Sequence, residues 1–469
     1  MKYNLPVAGL CLVIALYLSY CGQLSSQDIA NDYNRYDGSG RLPMDSVGAV
    51  SWLVRPGNAY FLNGNDNEFY LYVQVRGNEV LKEEKPRAPL NISLVLDRSG
   101  SMSGDKIAYA KKAASFVVEQ LNSNDVLSIV NYDDQIEVTS PSEPVKNKEV
   151  IKRKINELTD RGSTNLTGGM MEGYTQVKST RKEGYVNRVL LLTDGLANTG
   201  ITDPQQMKKI TEKKFLEEGI ALSTFGLGAD YNENLLTALA ESGRANYYFI
   251  DNPDKIPNIF AAELKGLLSV VAQNTLVEIT LPNSVECIKV YGYPYEVKGN
   301  KVQVKLNDVF AKDEKGMLLK FSIRPGAKET LAFDCHLQFA DATSFNTVNE
   351  YKKLELKETT DKNLFNRRQD TLVQEMIALF EANETFDDIM TKVDEGNYER
   401  AKIIADSMVV LLKDKQRSVP SAKLKEQELA ISTYSTKIDS VKVMRAEEKQ
   451  LYQKSNKSNN YNMKKGKKQ

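Results

Sequence analysis

The chain has 469 residues with 62 basic and 62 acidic side chains, so its net charge favours no class of partner. Its length exceeds one ordinary core and points to roughly two to four domains; 41% apolar and 26% charged residues are ordinary globular values. The absence of finger spacing, RNA-recognition signatures and a basic domain argues against nucleic acid, and a single histidine, His336, excludes HExxH-type zinc sites.

The chain opens as a targeting segment. Met1 is followed by Lys2 and then by LPVAGLCLVIALYLSYC, ending at Cys21. A positive start and about 16 largely apolar residues are the parts of a secretory signal. The run is shorter than the roughly 20 residues of a spanning helix, and an uncleaved N-terminal anchor is the alternative. Cys21 is a candidate lipid acceptor, because L-S-Y-C resembles the lipobox of bacterial lipoproteins, with Tyr20 where a small residue is usual. The expectation is an exported protein of the periplasm, outer membrane or cell surface, its only membrane attachment at this end. Residues 22–45 are polar with Gly and Pro, a linker pattern.

Residues 46–87 carry strand signals, VGAVSWLV and NEFYLYVQVRG, with Phe69, Leu71, Val73 and Val75 on one face at period two. From 88 to 273 strand-like and helical runs alternate, as βαβ units with a mostly parallel sheet require. NISLVLD (91–97) is apolar enough to be buried on both faces. Helical spacing follows over 105–121, and strands are predicted at 126–132, 188–194, 221–228 and 245–250, with an edge strand near 135–140. Helices are predicted near 147–158, 166–179 and 233–242, another from Asp203-Pro204, and a last one over 254–273. The fold class is therefore α/β, doubly wound.

Residues 274–360 return to short alternating runs broken by Gly, Pro, Asn and Asp, the pattern of a β-sandwich. The favoured arrangement is one sandwich built from both flanks with the α/β domain inserted; two separate β units are the alternative. Cys287 and Cys335 lie in this region, and an oxidising compartment permits a disulfide between them, buried free thiols being the alternative. His336 sits between strand-like residues, where a structural role is expected. Residues 361–453 read as helical, with Ala401, Ile404, Ala405, Met408, Leu411 and Leu412 as one apolar stripe. DEGNYERA resembles the turn between tetratricopeptide-type helices, but no second copy follows at a fixed period. Residues 454–469 carry lysines and no acid, and are expected to be a disordered, solvated tail.

Chemistry concentrates at the end of the first α/β strand. LVLDRSGSMSG supplies Asp97, Ser99 and Ser101 in D-x-S-x-S spacing, where side chains two residues apart in a turn can converge. RGSTNLTGG places Thr164 in a loop before a helix, and LLLTDG places Asp194 at a later strand end. Carboxylates and hydroxyls give oxygen donors only, a set suited to Mg²⁺ or Mn²⁺. In an open parallel sheet such residues collect outside the carboxyl ends of the strands, where crossovers diverge. Ser99 and Ser101 as helix-capping hydroxyls, with no ion, are the plainer alternative. Asp133 and Asp134 follow the second strand and read as turn residues.

These motifs resemble the metal-ion-dependent adhesion site of von Willebrand factor A domains, over roughly residues 88–273, with exported bacterial members most similar. The resemblance implies that Ser99, Ser101 and Thr164 bind the ion directly and that Asp97 and Asp194 act through water and hydrogen bonds. Neutral direct ligands leave the cation electrophilic, so a partner's carboxylate can complete its shell. The implied function is metal-dependent protein binding, adhesion or complex scaffolding at the cell envelope, not enzymatic. An architectural envelope protein with a structural ion, or an assembly partner of an ATPase complex, are the alternatives.

Overall fold

The computed structural model describes residues 44–62, 68–79, 87–324 and 330–465. The signal segment, Cys21 and nearly all of the linker lie outside them. The first flank supplies strands β1 (Asp45–Val47), β2 (Val50–Pro56), β3 (Tyr60–Leu62) and β4 (Glu68–Gly77).

The α/β part runs β5 (Leu90–Asp97), α1 (Asp105–Gln120), β6 (Val126–Tyr132), β7 (Ile136–Pro144), α2 (Lys148–Asn156), α3 (Leu166–Ser179) and β8 (Val186–Thr193). It continues with α4 (Pro204–Glu218), β9 (Ala221–Leu227), α5 (Glu233–Ser242), β10 (Tyr247–Ile250) and α6 (Ile256–Leu267). The sheet order is β10-β9-β8-β5-β6-β7, parallel except for the β7 edge. Every residue of β5 is buried, as its unbroken apolar run requires. Its alternate side chains serve two cores. Leu90, Ile92, Leu94 and Leu96 pack with Val117, Ile155 and Phe260, and Val95 packs with Met170, Tyr174 and Leu191. Helix α3 lies close on the second face because Gly173 has no side chain; a Cβ there would stand 2.5 Å from Val95 Cγ2. Succession runs from β5 to β6 in one direction and from β8 through β9 to β10 in the other. The carboxyl ends of β5 and β8 therefore flank the switch point of the sheet.

After α6 come β11 (Val270–Thr280), β12 (Val285–Tyr291), β13 (Tyr295–Lys298), β14 (Lys301–Phe310), β15 (Glu314–Ile323), β16 (Thr330–Asp341) and β17 (Thr347–Thr359). The two further sheets are ordered β1-β2-β4-β15-β12 and β13-β14-β11-β16-β17-β3. Each draws strands from both flanks: Leu71 of β4 faces Leu319 of β15, and Tyr60 of β3 faces Lys357 of β17. Trp52, Phe69, Phe321, Phe333 and Phe339 fill the space between them. The α/β part is thus inserted in a single sandwich. His336 is structural, stacked on Tyr351 with ring centroids 4.4 Å apart and hydrogen-bonded to Asn349.

The helical region comprises α7 (Lys362–Arg367), α8 (Thr371–Asp394), α9 (Tyr398–Ser418), α10 (Ala422–Val441) and α11 (Ala446–Lys464). Helix α8 docks on the sandwich through Val373, Met376 and Phe380 against Tyr72, Tyr291 and Leu318. Among the described residues no helix is long and apolar enough to cross a membrane.

The structure corrects the sequence reading in several places. The helix expected over 254–273 ends at Leu267, and Val270–Gln273 begin β11. Apolar residues continue on both sides of that boundary, and Val270 and Ala272 pair with β14 instead. Leu411 is exposed, while Val409 takes its place in the core of the helical region. Cys287 and Cys335 are free thiols. They lie on different sheets, Cys287 half-buried on edge strand β12 and Cys335 fully buried on β16. Burial pushes the two thiols up to about 11 and about 12.

The largest correction concerns residues 454–465, expected to be a disordered basic tail. They complete α11, which packs on α8 and on β10. Tyr461 meets Tyr247 edge-on with centroids 5.8 Å apart, and Lys454 Nζ donates to the Tyr231 carbonyl at 2.6 Å. Lys457 pairs with Asp394, Lys464 with Asp387, and Lys465 Nζ donates to the Gly292 carbonyl. The lysines lack acids nearby in sequence but find them on other elements. A Tyr461→Ala variant is expected to lose about 2–4 kcal/mol of unfolding free energy and to become cleavable near residue 450, as read by urea denaturation and limited proteolysis.

Candidate metal centre

Asp97 is the last residue of β5, and its side chain has no exposure. Its Oδ1 accepts the Ser99 N–H at 2.8 Å, and its Oδ2 accepts the Thr193 hydroxyl at 2.6 Å. Burial pushes this carboxyl up to about 6, and the hydrogen bonds from Thr193 and Ser99 hold it from going higher. The chain then turns through a short 3₁₀ segment, Gly100–Met102, into α1. That turn brings Ser99 Oγ and Ser101 Oγ to 3.1 Å from each other. Ser101 is exposed, and its hydroxyl donates to Asp194 Oδ1 at 2.7 Å. Asp194, immediately after β8, is buried, and Lys106 Nζ from α1 stands 2.6 Å from its Oδ2.

Thr164 arrives on the loop before α3. Its backbone N–H donates to Asn198 Oδ1 at 2.9 Å, and its carbonyl accepts from the N–H groups of Asn198 and Thr199. Gly195 brings the backbone against the site: a Cβ there would stand 3.3 Å from Thr164 Oγ1 and 3.7 Å from Ser101 Oγ. The structure therefore gathers Asp97, Ser99, Ser101, Thr164 and Asp194 at the switch point. Ser99 and Ser101 make no side-chain cap on α1, whose cap residue is Gly104.

The two loops are fastened together by groups whose fastening role the sequence reading missed, Asp133 having been read as a turn residue. The Arg161 N–H donates to the Arg98 carbonyl at 2.7 Å, and the Gly100 N–H to the Gly162 carbonyl at 3.1 Å. Beneath them Asp133 accepts from Arg98 Nε at 2.9 Å and from Arg161 Nε at 2.7 Å. Its burial opposes ionisation, but the Arg161 and Arg98 guanidinium groups and the Gln135 N–H outweigh that and hold the carboxyl below its ordinary value. Asp133 is thus a fastening residue beside the centre. Thr193, Asn198 and Lys106 were likewise missed. Thr193 adjoins the quoted Asp194, while the other two lie in segments with no motif of their own.

The donor set fits a small divalent cation. Among the described residues no three Asp, Glu, His or Cys side chains gather as a metal cluster. The oxygens here are hydroxyls backed by a carboxylate pair, a hard donor set. Thr164 Oγ1 makes no hydrogen bond among the described residues, although the residue is only 4% exposed. A Cβ on Gly195 would lie near both this oxygen and Ser101 Oγ, so the two border one space. Ser99, Ser101 and Thr164 would hold such an ion, and Asp97 and Asp194 would offset its charge.

Residues 91–262 match the model of the von Willebrand factor type A domain. This part of the chain is a von Willebrand factor type A domain; such domains mediate protein–protein contacts and commonly hold a divalent metal. Over 217 residues the chain is 31% identical to the uncharacterized protein YfbK of Escherichia coli, covering 46% of this chain and 37% of that protein. It is 26% identical to inter-alpha-trypsin inhibitor heavy chain H3 of Mesocricetus auratus, over 53% of this chain and 28% of that protein. The chain thus spans well under half the length of these relatives. Among solved structures, a von Willebrand factor type A protein from Catenulispora acidiphila superposes with a TM-score of 0.67 at 13% identity, over 83% of this chain and 91% of that one. The ArnB paralog VWA2 from Sulfolobus acidocaldarius gives 0.60 at 17% identity, over 88% and 98%. Both likenesses reach beyond the inserted domain and concern the fold.

The raised Asp97 carboxyl has a signed consequence. Its folded value of about 6 lies above the ordinary 3.8, so folding favours the protonated form. The ion-free chain should lose stability as pH rises from about 4 to about 6, by up to about 3 kcal/mol, and stay level above. An Asp97→Asn variant should lack this slope in thermal unfolding followed across pH.

Proposed function

We propose that this chain is an exported, envelope-attached binding protein whose A domain presents Mg²⁺ or Mn²⁺ to an acidic residue of a protein partner. The observation that carries this reading is the set of hydroxyls at the switch point, with the Thr164 oxygen unengaged and Ser101 at the surface. An ion held mainly by neutral oxygens keeps most of its charge, and a partner carboxylate is the natural anionic ligand for it. Export rests on the positive, apolar segment 1–21, with Cys21 as its candidate lipid acceptor.

The role is binding and not catalysis. Each oxygen of Asp97 and Asp194 already accepts a hydrogen bond or ion pair from this chain, which supports a holding role for both carboxylates. The sandwich acts as a frame that holds the inserted domain away from the N-terminal attachment. The helical region, docked on both, offers further surface for assembly.

Isothermal titration of Mg²⁺ and Mn²⁺ into the purified chain lacking residues 1–21 tests the reading. Binding is expected in the wild type and is expected to vanish in Asp97→Ala and Thr164→Ala, with their folds intact by circular dichroism. Metal-dependent capture of a partner should be lost in the same variants. Partner binding that persists in them after metal loss has been verified would sink the proposal.

A further inference from the structure

Lys106 enters the centre from the first turn of α1. Its Nζ lies 2.6 Å from Asp194 Oδ2, with the lysine side chain 28% exposed and the aspartate fully buried. The other oxygen, Oδ1, accepts the Ser101 hydroxyl at 2.7 Å. Both oxygens of Asp194 are therefore engaged, one of them by a full positive charge. Asp97 differs: its partners are the Thr193 hydroxyl, the Ser99 N–H and, at 3.4 Å, the Tyr132 hydroxyl. Arg98 is the guanidinium nearest to it in sequence, and it is spent on Asp133 and Glu137. Among the described residues, Lys106 is the one cation paired with either carboxylate.

We infer that Lys106 is the affinity-setting residue of the metal centre, a built-in monovalent cation that offsets Asp194 and lowers the site's affinity for a divalent ion. The inference rests on the metal-binding reading above and goes beyond it by assigning the tuning group. Two positive charges sharing one buried carboxylate repel each other in a medium that screens them poorly. The N-terminus of α1 adds positive potential of the same sign. With Asp194 neutralised, a bound ion keeps more of its charge for an incoming carboxylate. Lys106 thus exchanges metal affinity for electrophilicity.

A purely structural role predicts the opposite sign. If Lys106 only fixes the rotamer of Asp194, its removal loosens a ligand-orienting group and metal binding weakens. If it is a resident counter-ion, removal frees the charge of Asp194 and binding tightens.

The experiment titrates Mg²⁺ and Mn²⁺ calorimetrically into wild type, Lys106→Met and Lys106→Arg, each checked for folding by circular dichroism. Lys106→Met should bind both ions about tenfold tighter or more, and Lys106→Arg, which keeps the charge, should stay close to wild type. With Mn²⁺ bound, acetate should displace metal-bound water from Lys106→Met only at higher concentration, as read by water-proton relaxation. Unchanged or weaker metal binding in a folded Lys106→Met overturns the inference. If the wild type binds metal and Asp97→Ala does not, that result spares the metal reading. If none of the proteins binds either ion, both readings fall together.

Discussion

A carboxylate with no access to solvent has to be satisfied by the chain around it, and the loops beyond β5 and β8 are built around that demand at Asp97. Leaving a buried charged group without partners costs several kcal/mol. The Ser99 N–H reaches Oδ1 only if the chain turns sharply after the strand, and that turn is what presents Ser99 and Ser101 together. The Thr193 hydroxyl reaches Oδ2 only if β8 lies directly beside β5, and that pairing sets Asp194 across from the turn. The geometry of the hydroxyl donors thus follows from how one acid is housed.

Acids beside the switch point are treated in different ways. Asp97 has neutral partners and a raised carboxyl; Asp133 is gripped by two guanidinium groups and lowered; Asp194 shares a hydroxyl and an ammonium. Asp133 spends its charge on joining the β5 loop to the Thr164 loop, so it contributes rigidity and not coordination. The separation of roles arises because each acid leaves the sheet on a different strand or turn, with different basic neighbours.

Much of this was legible in the sequence. The α/β alternation follows from apolar runs whose burial on both sheet faces leaves few other arrangements, and the flanking strands were legible from their period of two. The five site residues were legible because D-x-S-x-S, the Thr164 loop and T-D-G are each contiguous. What was not legible depends on residues distant in sequence. The Arg98–Asp133–Arg161 clamp and the Lys106–Asp194 pair join residues far apart in the chain, and neither segment names its partner in the other. The fate of Cys287 and Cys335 depends on which sheet each strand joins, and strand character alone does not decide that. The C-terminal lysines looked solvated because local composition omits Asp387, Asp394 and the Tyr231 carbonyl, all supplied by other elements. Helix α6 was drawn too long because apolar residues continue from Leu267 and Leu268 into Val270 and Val271 of β11, and the stop signal of Gly266 was not read.

The interrupted sandwich also sets an order of events for a growing chain. Lys352 caps the Trp52 carbonyl from 300 residues away, and β3 finds its neighbour only when β17 has been made. The six strands of the inserted domain pair only with one another, so it can complete its sheet while the first strands still wait with open edges. Those early strands are short or carry polar ends, Asp45, Arg55 and Glu68 among them, which discourages pairing with a neighbouring chain in the interval. Helix α11 touches the inserted domain, the sandwich and α8, so it can join them only after all three have been made.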